Sequence, residues 1–557
     1  MAGLATTFGS GAMTNSINEI DQAQVILVSG SNTTEAHPQV ARRMFNAIDQ
    51  GAKLIVIDPR RTRLAEHAHI HLGLRPGTDI PLLNAMMRII LDENLADDLF
   101  IEQRTENFHA LRDMLYRIDL EETAAITGVP LSAISAAAQT YARAQKAVIC
   151  YCLGVTQHIC GTTNVQSIAN LAMLAGHIEK EFTGVDPLRG QNNVQGACDM
   201  GALPGLLPSY QAVDNQEYRE KFERAWGTTL PATPGLTLMQ MTHGGPQGAI
   251  RGLLIMGENP MLSDPHRTKV EATLKGLDFL AVADLFLTDT ARLADIVFPA
   301  ASFAEKTGTF TNSERRVQMV RQVIPPLGSC LSDREIVMAL SRAMGYPMEY
   351  DSAAEIMEEI ALLAPIYGGM FHDRLESSWG LQWPCWSRDH GGTPFLHKYF
   401  FTRGRGRFMP AEHEAAAELP DDEYPFILNT GRIYHQYHTG TMTRQSPSLN
   451  REAPEALLEV HPKDAARLGL RSGDWVEVAS RRGAIPVKVQ ISEQVACGSV
   501  YTTFHFPEAP INLLTNDARD PQAQCPEYKI CAVRLKKIDA IVKPPPVKHS
   551  KARKSAP

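Results

Sequence analysis

Long apolar runs and an excess of basic charge are both missing from this sequence. No segment of the 557 residues approaches the run of about 20 apolar residues that spans a bilayer, so we expect no direct insertion into a membrane. Lys and Arg number 54 against 62 Asp and Glu, which gives a net charge of -8. Because binding to nucleic acid depends on a basic surface, we expect no nucleic acid partner.

Cysteine is scarce as well. The nine cysteines are odd in number and irregularly spaced, which is typical of reduced thiols in a cytoplasmic protein. Cys150, Cys152 and Cys160 are the only ones that cluster in sequence. A metal site there is one interpretation, but the first two lie in the strand-like run 147–152. Small buried thiols are therefore favoured, and no metal ligand is predicted within the sequence.

An internal duplication is the main regularity that the sequence does contain. Residues 24–58 have the pattern of strand, turn, amphipathic helix and strand that is typical of a parallel sheet, and a second copy follows downstream. Asn259 follows Asn32 by 227 positions, and Asp284 follows Asp58 by 226. A chain of this length holds about three or four domains, and two of them are predicted to be repeated α/β domains.

Each copy places a Gly-x-Asn turn after one strand and an aspartate at the end of the next. That arrangement suits a nucleotide, because phosphates approach a tight backbone turn while a carboxylate binds ribose or base. A single such turn also forms for conformational reasons alone, so the interpretation depends on the duplicated register. Neither copy has the Gly-x-Gly-x-x-Gly pattern of an ordinary NAD site. Two nucleotide tails held face to face are therefore predicted.

The segment 187–204, PLRGQNNVQGACDMGALP, has the composition of a ligand site. Its small residues allow close approach of the backbone, and its carboxamides both donate and accept hydrogen bonds. Arg189 provides a planar cation that suits a small carboxylate. The alternative roles of Arg189 are a structural ion pair and a phosphate contact within a cofactor.

This segment resembles the substrate pocket of molybdenum- or tungsten-dependent formate dehydrogenase catalytic subunits. The similarity extends from Ala2-Gly3-Leu4 to Cys531-Ala532-Val533-Arg534. It implies an α/β fold with two pseudo-repeated parallel-sheet dinucleotide-binding domains and a C-terminal β-barrel, the molybdopterin oxidoreductase fold of the DMSO reductase superfamily. It also implies molybdenum or tungsten bis(molybdopterin guanine dinucleotide) as cofactor and the oxidation of formate to CO2, or the reverse, as reaction.

The predicted domain boundaries follow from the repeat and from this resemblance. Strand signals separated by Gly-containing turns indicate the barrel, and His461 beside a proline is interpreted as a helix-start contact rather than a metal ligand. The boundaries are 1–190 and 191–325 for the two α/β molybdopterin-dinucleotide domains, 326–405 for a mixed helical and loop segment, 406–537 for the barrel and 538–557 for a disordered basic tail.

The matched motifs imply the residues of the site. Arg189 is predicted to bind the carboxylate, with Gln191 beside it. The residues predicted to hold one dinucleotide are Gly30, Asn32, Asp58, Arg60, Gly77 and Asp79, with Leu153 and Gln157 at the pterin. Those predicted for the other are Gly257, Glu258, Asn259, Asp284 and Thr288. The barrel is predicted to add Thr430, Gly431, Arg432, Gln436, Tyr437, His438, Asn512, Tyr528 and Lys529.

In that family the metal-ligating cysteine or selenocysteine, the histidine that acts as base and the cysteines of a [4Fe-4S] cluster precede the residues aligned with Ala2. The resemblance therefore implies an N-terminally truncated catalytic subunit, whose full-length parent holds the [4Fe-4S] cluster. Expected partners are formate or CO2 and electron-transfer subunits of the iron-sulfur, flavin/NAD or hydrogenase type. Two alternatives stay open, a fragment that binds cofactor without catalysis and a related oxidoreductase with another substrate.

Overall fold

The computed structural model describes residues 1–245 and 248–539, so the predicted basic tail lies, from residue 540 on, outside the described residues. Within this part of the chain no helix is both long enough and apolar enough to cross a bilayer. The strands are β1 Val25–Ser29, β2 Lys53–Ile57, β3 Ile70–Leu72, β4 Thr105–Glu106, β5 Ala147–Tyr151, β6 Gly184–Pro187, β7 Leu206–Leu207, β8 Gln211–Ala212, β9 Gly252–Met256, β10 Phe279–Asp284, β11 Ile296–Pro299, β12 Gly308–Thr311, β13 Arg316–Val320, β14 Leu381–Gln382, β15 Gly406–Arg407, β16 Phe426–Gly431, β17 Leu457–Val460, β18 Trp475–Ala479, β19 Ala484–Ile491, β20 Ser499–Thr503 and β21 Cys531–Ile538.

One or more α-helices connect most successive strands over the first half of the chain. They are α1 Ala2–Phe8, α2 Thr33–Ala36, α3 Pro38–Asp49, α4 Arg63–Glu66, α5 Asp79–Asp92, α6 Asp98–Arg104, α7 Phe108–Leu115, α8 Leu120–Thr127, α9 Leu131–Ala142, α10 Leu153–Thr156, α11 Gly161–Leu174, α12 Val194–Asp199, α13 Gln216–Trp226, α14 Leu238–His243, α15 Pro260–Ser263, α16 Arg267–Lys275, α17 Asp333–Ala343, α18 Ala353–Leu363, α19 His372–Ser377, α20 Pro447–Glu452 and α21 Pro462–Leu468.

Five parallel strands form the first sheet, in the order β3-β2-β1-β5-β6. Its central strands are apolar throughout because helices cover both faces, which is typical of parallel sheets. One face, with Leu27 and Ile149, packs against α5, α9 and α11. The other, with Ile26 and Cys150, packs against α3. The predicted parallel α/β domain is confirmed, and Cys150 is a core thiol.

The strands β9, β10 and β11 form a second parallel sheet that repeats the first. In both copies the glycine after the first strand donates its backbone N–H to a carbonyl near the end of the second. Gly30 donates to Ile57 at 2.9 Å, and Gly257 donates to Ala283 at 2.8 Å. Both glycines have positive φ, 56° and 64°, in the left-handed region that favours glycine. These matching bonds confirm the internal duplication.

The segment 326–405, predicted as mixed helix and loop, contains α17, α18 and α19. Its buried side chains pack with β13, where Val317 contacts a cluster that includes Tyr367 and Trp383. The short strand β14 also pairs with β13, so this segment is joined to the preceding domain by strand pairing as well as by packing.

The C-terminal part of the chain is a closed barrel in the order β16-β20-β17-β19-β18-β21. Alternate residues of β19, namely Ile485, Val487 and Val489, point into its core, as a barrel strand requires. His461 Nδ1 accepts the backbone N–H of Lys463 at 3.2 Å at the start of α21. The predicted barrel is confirmed, and His461 makes the predicted helix-start contact.

Candidate active site and cofactor cavity

A cavity of about 550 Å³ lies where the carboxyl ends of β1, β2 and β5 face the barrel. Ligands of open α/β sheets bind at this edge of the strands. The predicted site residues that line it are Gly30, Asn32, Asp58, Arg60, Gly77, Asp79, Leu153, Gln157, Gln191, Glu258, Thr430, Gly431, Arg432, His438, Asn512, Tyr528 and Lys529. Those outside its lining are Arg189, Gly257, Asn259, Asp284, Thr288, Gln436 and Tyr437.

Two loops meet at one wall of the cavity with no space for side chains. A Cβ on Gly30, after β1, would lie 2.6 Å from the backbone nitrogen of Val155. A Cβ on Gly154, in α10, would lie 2.5 Å from the carbonyl oxygen of Gly30. The backbone N–H of Gly154 donates to that oxygen at 3.0 Å. Backbone rather than side chains therefore forms this wall, which suits close approach of a phosphate or a planar ring.

The second copy of the repeat contributes less to the cavity than the first. Glu258 lines the cavity, but the other predicted residues of this copy form hydrogen bonds within their own turns. Asn259 Oδ1 accepts the hydroxyl of Thr290 at 2.7 Å. The hydroxyl of Thr288 accepts a backbone N–H of the following turn at 3.2 Å, and Asp284 accepts the N–H of the next residue at 2.6 Å. A role of these three side chains in cofactor binding stays a prediction.

Arg60 joins the first α/β domain to the barrel. Its Nη2 donates to both carboxylate oxygens of Glu459, at 2.7 and 2.8 Å, and its guanidinium lies 3.5 Å from the ring centre of Tyr501. The side chains of the ion pair are only 9% and 15% exposed. Within the described residues Arg60 Nε has no hydrogen-bond partner. Nη2 is occupied by Glu459, so a contact of Arg60 with a dinucleotide, which stays a prediction, would need another nitrogen of the guanidinium.

Two basic side chains reach the cavity from the barrel. Lys529 Nζ donates to the carbonyl of Thr430 at 2.6 Å. Burial, followed by the nearby charge of Arg432, lowers the pKa of Lys529 to about 8. The Arg432 guanidinium lies against Gly190, where a Cβ would come within 2.9 Å of both terminal nitrogens. Neither cation forms an ion pair within the described part of the chain, so both are available to a bound anion.

Buried carboxyl groups face the cavity from both copies of the repeat. Burial raises the pKa of Asp79 to about 7, and in the second copy it raises the pKa of Glu258 to about 7 and that of Asp264 to about 6. Burial also raises the pKa of Asp58, whose Oδ1 accepts the backbone N–H of Arg60 at 2.9 Å. Within the described residues Asp79 accepts no side-chain hydrogen bond, and Glu258 accepts only the hydroxyl of Ser263 at 3.5 Å, so these two groups suit a ligand that supplies N–H groups.

Arg189 lies beside the cavity rather than on its wall, whereas Gln191 lines it. The Arg189 Nε donates to Gln195 Oε1 at 3.1 Å, and Nη2 donates to the carbonyl of Gly11 at 3.0 Å. Its own carbonyl bonds with His37 Nε2 at 2.6 Å. Among the described residues no carboxylate forms an ion pair with Arg189, so the alternative of a structural ion pair is not what the structure contains.

The loop after β16 is held partly by a residue that was predicted to bind cofactor. Gln436 Nε2 donates to the carbonyl of Ala453 at 3.0 Å, and its Oε1 accepts the hydroxyl of Thr443 at 2.7 Å. His438, two residues on, does line the cavity, and burial lowers its pKa to about 4. His438 is therefore neutral near pH 7 and able to form hydrogen bonds without a charge.

Several cavity residues were absent from the predicted set. They are His37, Asp264, Tyr501, Phe504 and Cys525, among others. Asp264 is the C-cap residue of α15, which follows the turn of the second copy, and Cys525 directly precedes the matched residues 526–529. Both residues are near a matched motif in sequence, and this proximity could have identified them. Tyr501 and Phe504 have no such signal, because nothing in the sequence separates them from ordinary barrel residues.

The molybdopterin oxidoreductase family matches residues 3–343, more than half of the chain. The chain belongs to the molybdopterin oxidoreductase family. A second match, "Molydopterin dinucleotide binding domain", covers residues 426–532 and coincides with the closed barrel. These matches confirm the predicted oxidoreductase class and the predicted molybdopterin dinucleotide cofactor.

Proteins that are similar to this molybdopterin oxidoreductase align with most of its length. The F420-dependent formate dehydrogenase subunit alpha of Methanocaldococcus jannaschii is 48% identical over 542 residues, which are 97% of this chain and 80% of that protein. Formate dehydrogenase H of Escherichia coli is 38% identical over 97% of this chain and 76% of its own. Acetylene hydratase from Pelobacter acetylenicus has the same fold, with a TM-score of 0.76 at 20% identity over 96% of this chain and 80% of that chain.

The residues of the cavity fit a bis-pterin guanine dinucleotide cofactor. The enclosed cations Lys529 and Arg432 are able to pair with pyrophosphate, and the bare backbone at Gly30 gives phosphate a close approach. Asp79 and Glu258, one in each copy of the repeat, are able to accept the N–H groups of a guanine edge. Such donors would favour the charged carboxylates that burial alone disfavours.

Proposed function

We propose that this molybdopterin oxidoreductase is the catalytic subunit of a formate dehydrogenase, which oxidises formate to CO2 or catalyses the reverse. The observation that carries the proposal is the free edge of Arg189 beside the cavity. Nε and Nη2 are each anchored by one protein acceptor, which leaves Nη1 and the second N–H of Nη2 for a carboxylate. The similar proteins that are named formate dehydrogenases support the same substrate.

The reaction removes two electrons and one proton from a one-carbon anion. When bound, the metal with its pterin thiolates supplies the two-electron acceptor. Arg189 binds the carboxylate through two parallel N–H···O bonds, which fix the plane of formate and the direction of its C–H bond. Gln191 presents an amide from the cavity wall, which the apolar side chains of Leu153 and Val194 also line.

Electrons leave the site through partner subunits of the iron-sulfur, flavin/NAD or hydrogenase type in this proposal, and the enzyme is cytoplasmic. Two similar proteins are named as alpha subunits of F420-dependent enzymes, which favours a partner that reduces F420. The test is formate-dependent reduction of F420 and of NAD by the complex purified from its host. Reduction of NAD alone would contradict the F420 assignment and leave the formate assignment intact.

The substrate is tested on the anaerobically purified holoenzyme with a viologen dye as acceptor. We expect turnover of formate and none of nitrate. Arg189→Lys keeps the charge but loses the planar fork, so its KM for formate should rise about tenfold or more. Arg251→Lys is the control, because the Arg251 side chain is 87% exposed. Turnover of nitrate without formate would favour the related-oxidoreductase alternative, and bound cofactor without turnover of either would favour the non-catalytic one.

A further inference from the structure

A buried carboxylate lies directly behind Arg189. Asp199 is 0% exposed. Its Oδ1 accepts Gln195 Nε2 at 2.8 Å and the hydroxyl of Tyr210 at 2.6 Å. Its Oδ2 accepts the hydroxyl of Tyr367 at 2.5 Å and Trp383 Nε1 at 2.7 Å. Four donors therefore converge on one side chain, and two of them, Tyr367 and Trp383, are more than 160 positions away in sequence.

The donor set favours the charged form of Asp199. Gln195 Nε2 and Trp383 Nε1 carry only donors, and both point at the carboxyl group. Burial raises the pKa of Asp199, whereas the four hydrogen bonds act against that rise. The four donors therefore favour the anionic form of Asp199.

The Asp199 carboxylate determines the orientation of the Gln195 amide. Nε2 donates to Asp199, so Oε1 is turned towards Arg189 and accepts its Nε at 3.1 Å. An inverted amide would place its oxygen against a carboxylate and its N–H groups against a guanidinium, which are two repulsive contacts. The negative charge behind the amide also polarises it, which strengthens the bond to Arg189.

A second anchor completes the orientation of the guanidinium. The carbonyl of Gly11 accepts Arg189 Nη2 at 3.0 Å. Because the group is planar, fixing Nε and Nη2 fixes the plane of the whole guanidinium. Of its five N–H groups, the two on Nη1 and one on Nη2 have no protein acceptor among the described residues.

We propose that Asp199 and Gln195 are positioning residues, which hold the plane of Arg189 so that its free edge meets a planar oxyanion. This pair, here called the Asp199-Gln195 relay, touches no substrate itself. The inference rests on the proposed role of Arg189 and adds a basis for selectivity. An oriented fork favours anions with two oxygens on one side over spherical anions of the same charge.

Gln195→Met tests the relay in the holoenzyme. Methionine has a similar shape but neither donor nor acceptor of comparable strength, and Asp199 keeps its other three donors. We measure the KM for formate and, without turnover, the Kd of nitrate and of chloride. The expected result is a rise of about tenfold in both the KM and the nitrate Kd, with kcat within about twofold and chloride binding unchanged.

Two matched variants separate positioning from general packing. Gln166→Met removes another buried glutamine, whose Nε2 donates to Thr6 at 2.9 Å away from Arg189. Tyr367→Phe removes one donor of Asp199 and leaves the hydrogen bonds that Gln195 forms with Asp199 and Arg189. Both should keep the KM and the nitrate Kd within about twofold of wild type.

The outcomes distinguish failure of the relay from failure of the proposed function. If Gln195→Met lowers only the melting temperature, or Tyr367→Phe weakens nitrate binding as much as Gln195→Met does, the relay is overturned. If Arg189→Lys also leaves the formate KM and nitrate Kd unchanged, the proposed role of Arg189 fails. If Arg189→Lys weakens both ligands while Gln195→Met does not, the relay alone is wrong.

Discussion

Replacing Lys529 by methionine tests whether the cavity is built around an anion. Lys529 Nζ donates to one protein group, the carbonyl of Thr430, and burial lowers its pKa from 10.5 to about 8. A fall of this size corresponds to about 3 kcal/mol against the charged amine in the folded protein. Methionine has a similar length and no charge. We therefore expect Lys529→Met to stabilise the cofactor-free protein at pH 7 by about 2 kcal/mol, after loss of the one hydrogen bond.

The pH dependence of this effect has a defined sign. Because the folded-state pKa lies below the unfolded-state pKa, the unfolded chain binds more protons between pH 8 and 10.5, and wild-type stability rises across that window. The advantage of methionine should therefore fall to below about 1 kcal/mol near pH 10. Lys275→Met is the control, because that side chain is 58% exposed in a surface ion pair. Its effect should stay within about 0.5 kcal/mol at either pH.

The assays are urea unfolding of the cofactor-free protein at both pH values and the metal and guanine nucleotide content of the holoenzyme. In the holoenzyme we expect Lys529→Met to retain much less cofactor, because a counter-charge of the bound anion is lost. A variant that is less stable than wild type at pH 7 would refute the reasoning. So would an equal gain at both pH values, or full retention of cofactor.

Two further pairs of variants test the packing around the cavity by urea unfolding. Gly30→Ala should lower the free energy of unfolding by about 3 kcal/mol, because its Cβ would meet the neighbouring backbone at 2.6 Å. Gly257→Ala, its repeat partner with a φ of 64° and open space around it, should cost about 1 kcal/mol, and equal losses would contradict this account. Glu459→Ala should cost about 3 kcal/mol, since Arg60 stays enclosed without its partner. Asp278→Ala, at an exposed ion pair, should change stability by less than about 1 kcal/mol, and a similar cost for both would count against the buried ion pair.

The features that the sequence predicted are those encoded over short stretches of chain. The turn at Gly30 and its repeat at Gly257 have the same φ sign, because a positive φ at a turn depends on the local residue type. The apolar runs of the parallel strands indicate burial on both faces of the sheet. The alternating run of β19 indicates a strand that is buried on one face. The α/β repeat, the barrel and the helix-start contact of His461 were therefore predictable without coordinates.

The partner of each polar side chain was decided only by the tertiary structure. Arg60 was predicted at a dinucleotide, yet its Nη2 binds Glu459, which lies 399 positions away. Gln436 forms hydrogen bonds within its own loop. Asp199 accepts a hydrogen bond from Trp383, which lies 184 positions away in sequence. Residue type and local spacing tell whether a group needs a partner. Which group meets that need depends on how the two α/β domains, the middle segment and the barrel pack together, and no local pattern contains that information.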